Sequence, residues 1–154
     1  MKTNALRILE ARYIPHEQIS YDSSDEEIDA VSVADKIGAE HEQVFKTLVA
    51  RGDKTGTVVF CIPGPFELDL KKAASVSGNK SIEMVKAREL LPLTGYIRGG
   101  CSPVGMKKLF PTWIDETALL HERIYVSAGV RGMQMLLAPS DLARLVGAEF
   151  VDVT

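Results

Sequence analysis

Between Pro92 and Pro111 the chain carries Gly95, Gly99, Gly100, Pro103 and Gly105, a density of backbone breakers that neither a helix interior nor a strand interior tolerates. Any compact fold must therefore wrap its regular elements around a long irregular loop. Loops of this length without structure of their own are uncommon unless they serve a function. On both sides of this loop the apolar patterns are short. Thr3 is placed to cap a first helix with Ala5, Leu6, Ile8 and Leu9 on one face, stopped by Pro15. His16 to Tyr21 reads as a strand with Ile19 and Tyr21 on one face. Ile28 to Ile37 reads as a helix closed by Gly38.

Val44 to Ala50 and Thr57 to Ile62 read as two strands joined by Gly52-Asp53-Lys54 and Gly56, hence a hairpin. Pro63-Gly64-Pro65 breaks it, and Leu68 to Val76 reads as a helix ended by Gly78-Asn79. Ile82 to Val85 fits a short strand or a helix start. Ala87 to Leu91 reads as one helical turn stopped by Pro92. After the glycine loop come short strands at Thr112–Asp115, Ile124–Ser127 and Met133–Leu137, a helix opened by Pro139, and a last strand over Ala148–Val153. No βαβ rhythm runs through this order. The class is α+β, one domain over residues 1–154, with a mixed, mostly antiparallel sheet that short strands could curl into a barrel-like form.

Hydrophobic residues at 45% and charged residues at 25% exclude wholesale disorder. A net charge of −3 excludes a protein that grips nucleic acid, DNA included, by bulk electrostatics, though not a local basic site on an acidic body. The charge is uneven, however. Eight acidic residues and one lysine lie between Asp22 and Glu42, and eight basic and two acidic ones between Lys71 and Lys108. Such runs are either solvated faces or a phosphate-facing edge with like charge kept elsewhere. No apolar run reaches the roughly 20 residues of a membrane span, and no apolar stretch at the start reads as a signal peptide. The expectation is a reduced cytoplasmic protein with no membrane partner.

Three features invite chemistry. Lys46 lies mid-strand on the face of Val44 and Leu48. It either snorkels to water past apolar neighbours or sits in a pocket aimed at a carbonyl, carboxylate or phosphate oxygen. The loop Gly95 to Gly105 is neither a P-loop nor GxGxxG, yet its glycines let backbone N–H groups approach a ligand, as in an anion nest or oxyanion hole. Cys101 would need a base or a lowered pKa to act as a nucleophile. His16, His41 and His121 are scattered, and with Cys61 and Cys101 they form no metal-ligand spacing, so no metal and no cofactor is expected.

The segments Val44-Phe45-Lys46-Thr47-Leu48-Val49, Leu68-Asp69-Leu70-Lys71-Lys72-Ala73-Ala74, Gly95-Tyr96 with Gly99 to Lys108, and Tyr125 to Gly129 with Arg131-Gly132 follow one another at spacings that resemble the YbaK branch of the YbaK/prolyl-tRNA-synthetase editing-domain superfamily. The resemblance covers nearly the whole chain. It implies a free-standing deacylase that hydrolyses mischarged aminoacyl-tRNA, typically Cys-tRNA(Pro) and more weakly Cys-tRNA(Cys). Carried over by residue, Lys46 matches an essential lysine and Gly99 and Pro103 a GxxxP loop. Tyr21 matches a pocket tyrosine, and Ser127 with Gly129 a small-residue strand end lining the same pocket. Cys101 stands where isoleucine is common. Gln134, in Gly132-Met133-Gln134-Met135, stands where an aspartate is expected. An amide still accepts and donates hydrogen bonds but cannot pair with an ammonium as a carboxylate does.

An aminoacyl ester is already activated and needs no Ser-His-Asp set. The expected arrangement has Lys46 anchoring the terminal adenosine or ester oxygens. Phe45 helps line the site, and backbone N–H groups of Gly99, Gly100, Cys101 and Ser102 polarise the carbonyl. Attack would come from water, a tRNA hydroxyl or the substrate's own thiol; the resemblance favours a substrate-assisted route. The expected partner is the aminoacyl-tRNA acceptor end, with prolyl-tRNA synthetase as a second. A domain that binds aminoacyl-tRNA or a nucleotide in the same pocket without turnover is the competing reading.

Overall fold

The structure, a computed structural model, describes residues 2–154. Helix α1 (Asn4–Ala11) opens on Thr3, whose side-chain oxygen accepts the Leu6 N–H at 3.2 Å, and it buries Ala5, Leu6 and Leu9. Strand β1 (His16–Ser20) follows. Asp29 then caps helix α2 (Ala30–Ile37), its carboxylate accepting the Ser32 N–H at 2.9 Å. A carboxylate in that role starts the helix after it. The helix therefore begins two residues later than the apolar pattern predicts, and Ile28 is left outside it. The Gly38 cap with φ 71° ends α2 as expected.

The hairpin is formed by β2 (Phe45–Gly52) and β3 (Gly56–Pro63), antiparallel in a register that places Lys46 opposite Ile62 and Thr47 opposite Cys61. Helix α3 (Leu70–Ser77) and strand β4 (Ile82–Met84) come next; the strand is the outcome at a position where the sequence left two. Helix α4 spans Ala87–Thr94 and runs through Pro92, correcting the expected stop. Proline removes one N–H, but the turn after it is closed by other donors. Gly95 N–H bonds Leu91 O at 2.9 Å, and Thr94 Oγ1 donates to Leu90 O at 2.7 Å. Beyond the loop lie β5 (Thr112–Asp115), β6 (Ile124–Ser127), β7 (Met133–Leu137), α5 (Pro139–Val146) and β8 (Glu149–Val151).

The fold is α+β, and its eight described strands divide between two sheets rather than one. β4-β2-β3-β5-β8 is mixed, with β5 parallel to β3 and to β8; β1-β7-β6 is antiparallel throughout. A parallel bridge from Val44 to Tyr125 links them where β2 begins. The sheets share one core. Phe45, Cys61 and Ile114 from the first meet Ile124, Met135 and Leu137 from the second, under α1 and α5. The outer face of the larger sheet packs Val58, Phe60 and Ile62 on Ala73 and Ala74 of α3. Full burial of a side chain such as Phe60 contributes about 1.5–3 kcal/mol. On the sheet's remaining surface Tyr96 and Cys101 of the glycine loop rest on Val49 and Val59. This contact anchors the loop beside the start of β2, and there the site forms.

Candidate active site

Lys46 is half-buried near the start of β2, and its Nζ donates to the carbonyl of Gly64 at 3.0 Å. Gly64 follows β3, and a Cβ there would lie 2.6 Å from that of Ala30, so only glycine lets the first turn of α2 close against this carbonyl. An ammonium has three donors, and one is used. Among the described residues no carboxylate comes within 4.0 Å of Nζ. Partial burial lowers its pKa below the ordinary lysine value, against the opposing charges of Glu67 and Asp29.

Two hollows meet at this lysine. The inner pocket, about 80 Å³, is lined by Phe45, Cys101, Ser127 and Gln134; the outer cleft, about 730 Å³, by Glu26, Asp29, Arg98 and Arg131. Lys46, Thr47 and Gly99 border both. The inner volume is roughly that of two or three waters, which suits a short side chain. Gln134 is 5% exposed, and its Oε1 has no hydrogen-bond partner among the described residues. Ser127 lies opposite it across the β6–β7 pairing and accepts the Gly129 N–H at 3.1 Å.

The acidic run shapes the cleft rather than forming a plain solvated face. Lys36 Nζ donates to Asp22 O, Asp25 Oδ1 and Glu27 O at 2.7, 2.7 and 2.9 Å, and so gathers the segment before α2 into a fixed loop. Glu26 within it has φ 61°, a left-handed conformation that a side chain rarely adopts and that marks a constrained site. Across the cleft, Arg131 Nε donates to Arg98 O at 2.8 Å, tying the turn after β6 to the glycine loop.

The structure brings Lys46, Phe45, Gly99, Cys101, Ser127 and Gln134 together, and places the other predicted residues elsewhere. The Gly100 N–H is spent on Ile97 O at 2.9 Å, which corrects its expected role at a carbonyl. Ser102 is fully buried, and its Oγ accepts the Val104 N–H. Pro103 borders a separate cavity beside α1, with Ile8 and Val146, and not this pocket. Tyr21 packs with Val33, Val44 and Tyr125 outside the pocket lining. Gly129 lies against the Tyr96 ring, where a Cβ would meet Cε1 at 2.9 Å. The Cys101 thiol is pushed up to about 12 by burial, so it is no thiolate nucleophile at neutral pH. The sequence reading missed Ile28, Thr47, Arg98 and Arg131. Arg98 carried a signal as part of the basic run, and Thr47 and Arg131 stood in the segments that carry the resemblance; Ile28 carried none.

The profile described as the aminoacyl-tRNA editing domain matches residues 26–145. An Enterococcus faecalis protein named for Cys-tRNA(Pro)/Cys-tRNA(Cys) deacylase activity is 50% identical over 153 residues, 99% of this chain and 93% of its own. A Thermosipho africanus proline–tRNA ligase is 32% identical over 77 residues, 50% of this chain and 14% of that enzyme. A crystal structure described as a trans-editing enzyme for prolyl tRNA synthetase superposes with a TM-score of 0.84 at 27% identity, covering 100% of this chain and 99% of that one.

Proposed function

The chain belongs to the aminoacyl-tRNA editing domain family, and from that premise we propose that it is a free-standing deacylase that clears Cys-tRNA(Pro), and Cys-tRNA(Cys) more weakly, by hydrolysing the aminoacyl ester. One observation carries this reading: the Lys46 ammonium stands where a pocket sized for a short side chain meets a cleft wide enough for a nucleoside. An aminoacyl-adenosine has this same division, with the ester at the junction.

In this arrangement the cysteine side chain enters the inner pocket beside Ser127 and Gln134, and the terminal adenosine lies in the cleft. Lys46, held by Gly64 O, gives its remaining N–H donors to the ester or ribose oxygens. The backbones of Gly99 and Cys101 border the carbonyl and offer N–H groups to the developing oxyanion. The substrate supplies the nucleophile. Its thiol sulfur bonds to the carbonyl carbon, the ester C–O bond breaks, and the ribose hydroxyl leaves with the thiol's proton. Water then opens the cyclic thioester. The pocket thus acts by positioning the reacting groups and stabilising the developing oxyanion, with no activated nucleophile of its own.

The partner is the acceptor end of tRNA. A body of net charge −3 holds free tRNA weakly, with affinity that falls with salt, and a prolyl-tRNA synthetase presenting its product supplies the missing grip. The setting is the cytoplasm, where that substrate is made; no described helix is long and apolar enough to cross a membrane.

The test is deacylation of Cys-, Ala-, Ser- and Pro-tRNA side by side. The expected result is fast release of cysteine, far slower release of alanine and serine, which lack a thiol and depend on attack by water, and intact Pro-tRNA. Protection of Cys-tRNA from spontaneous hydrolysis would instead identify a binding module.

A further inference from the structure

The cleft does not end at Thr47. A second groove, about 260 Å³, opens from the same Thr47 and Gly99 wall and runs along β2 toward β4 and the start of α4. Val49, Met84, Val85 and Leu90 give it an apolar lining, and Met84 is 39% exposed. Two cations border it, Lys86 and Arg98, and Arg98 borders the main cleft as well. Among the described residues both enter hydrogen bonds only through their backbones: Lys86 N–H donates to Glu89 Oε1, and Arg98 O accepts from Arg131 Nε. Neither side chain has a carboxylate within 4.0 Å among the described residues.

The nearby carboxylates offset them only in part: the Lys86 backbone N–H and, less strongly, its charge help hold the Glu89 carboxyl below its usual range, and Glu26 and Asp29 line the cleft that Arg98 borders. Glu89 Oε2 is paired with Arg51 at 3.1 Å. Glu83 precedes Met84 in β4, so strand alternation puts it on the opposite face.

The groove also offers an open strand edge. β4 pairs with β2 only from Ala50 to Gly52, and the Val85 N–H reaches Val49 O at 3.1 Å. In an antiparallel strand, residues two apart turn their N–H and C=O the same way. The backbone donor and acceptor of Thr47 therefore face this edge beyond the last residue of β4. A donor and acceptor side by side match the edge of a nucleobase, and a methionine thioether packs well against an aromatic ring.

We infer that this groove holds the nucleotide preceding the terminal adenosine of the tRNA. Its base lies on the Met84–Leu90 floor against the β2 edge at Thr47. The phosphate linking it to the adenosine lies at the junction of groove and cleft, near Arg98, with Lys86 further along. The inference rests on the reading of the main cleft as the aminoacyl-adenosine site. It adds that the enzyme recognises a single-stranded dinucleotide end and not the terminal nucleoside alone.

Three non-hydrolysable probes test it by calorimetry on the full chain: 3′-cysteinylamino-3′-deoxyadenosine, its 5′-phosphate, and its 5′-cytidylyl extension. The expected result is tighter binding at each step, with the extended probe at least about fivefold tighter than the phosphate. That last gain should shrink to less than about twofold in a Met84→Ala/Lys86→Ala variant, whose exposed positions leave folding intact. Equal affinity for the phosphate and extended probes overturns the base site. A gain that persists in the double variant overturns its location. Failure of the mononucleoside probe to bind removes the reading of the main cleft, and this inference with it.

Discussion

A Cβ placed on Gly99 would lie 2.3 Å from Ile28 Cδ1, so the glycine loop and the segment before α2 touch across the mouth of the site. Gly99 also has φ 83°, a conformation that costs an L-residue about 1–2 kcal/mol. Two independent constraints thus meet at one position that borders pocket and cleft alike. Gly99→Ala is expected to lower deacylation at least about tenfold, equivalent to 1.4 kcal/mol of transition-state stabilisation, and to lower stability by about 1–2 kcal/mol. Adding Ile28→Ala relieves the contact but not the backbone strain. The double variant should regain activity while staying less stable than wild type, as read by urea unfolding beside the rate. Wild-type activity in Gly99→Ala would show that the contact does not shape the site.

Lys46→Ala is expected to cost at least about tenfold in rate with the unfolding midpoint little changed, because the side chain is partly exposed and makes a single hydrogen bond. Its lowered pKa sets the direction of a pH effect. The ammonium form, present on the acid side, is the one that grips oxygen; burial makes it give up its proton at a lower pH than an exposed lysine. Affinity for the cysteinylamino-adenosine probe should therefore decline on the alkaline side before the ordinary lysine range is reached. Lys46→Ala should abolish that decline. A flat wild-type profile through this range would remove the ammonium from the binding argument.

Cys101 borders the pocket, yet its thiol is held protonated by burial, with a pKa pushed up to about 12. Cys101→Ser is expected to keep the rate within about threefold of wild type. Complete loss of activity in a folded Cys101→Ser protein would restore the cysteine as a nucleophile.

Where periodicity and punctuation are local, the fold was legible. The β2–β3 hairpin followed from alternation around Gly52 and Gly56, α1 from the Thr3 cap, and α5 from Pro139. What was not legible depends on partners far along the chain. His16 pairs with Leu137, and Val44 bridges to Tyr125; no local pattern assigns the strands to two sheets. The site divides in the same way. Lys46 stood out because a lysine on an apolar strand face is anomalous by itself. Ile28 and Arg131 carry no anomaly; they matter only because the Asp29 cap releases one and the Arg98 carbonyl captures the other. Pro103 was expected in the site from the resemblance and Gly100 from the oxyanion argument, and the loop's own packing and hydrogen bonding turn them away from it.

Gln134 separates stability from selectivity. Its Oε1 is buried beside the inner pocket without a hydrogen-bond partner among the described residues, and an unsatisfied buried acceptor costs about 1–3 kcal/mol. A cysteine thiol in the pocket is a weak donor that this oxygen can accept, whereas alanine brings none. Gln134→Met keeps the length of the side chain and removes the acceptor. The variant should unfold at higher urea than wild type, and yet deacylate Cys-tRNA about tenfold more slowly with its rate on Ala-tRNA nearly unchanged. Opposite signs in the two measurements distinguish a residue kept for its substrate from one kept for packing. A variant that loses stability, or that loses both activities in proportion, would assign Gln134 to the core.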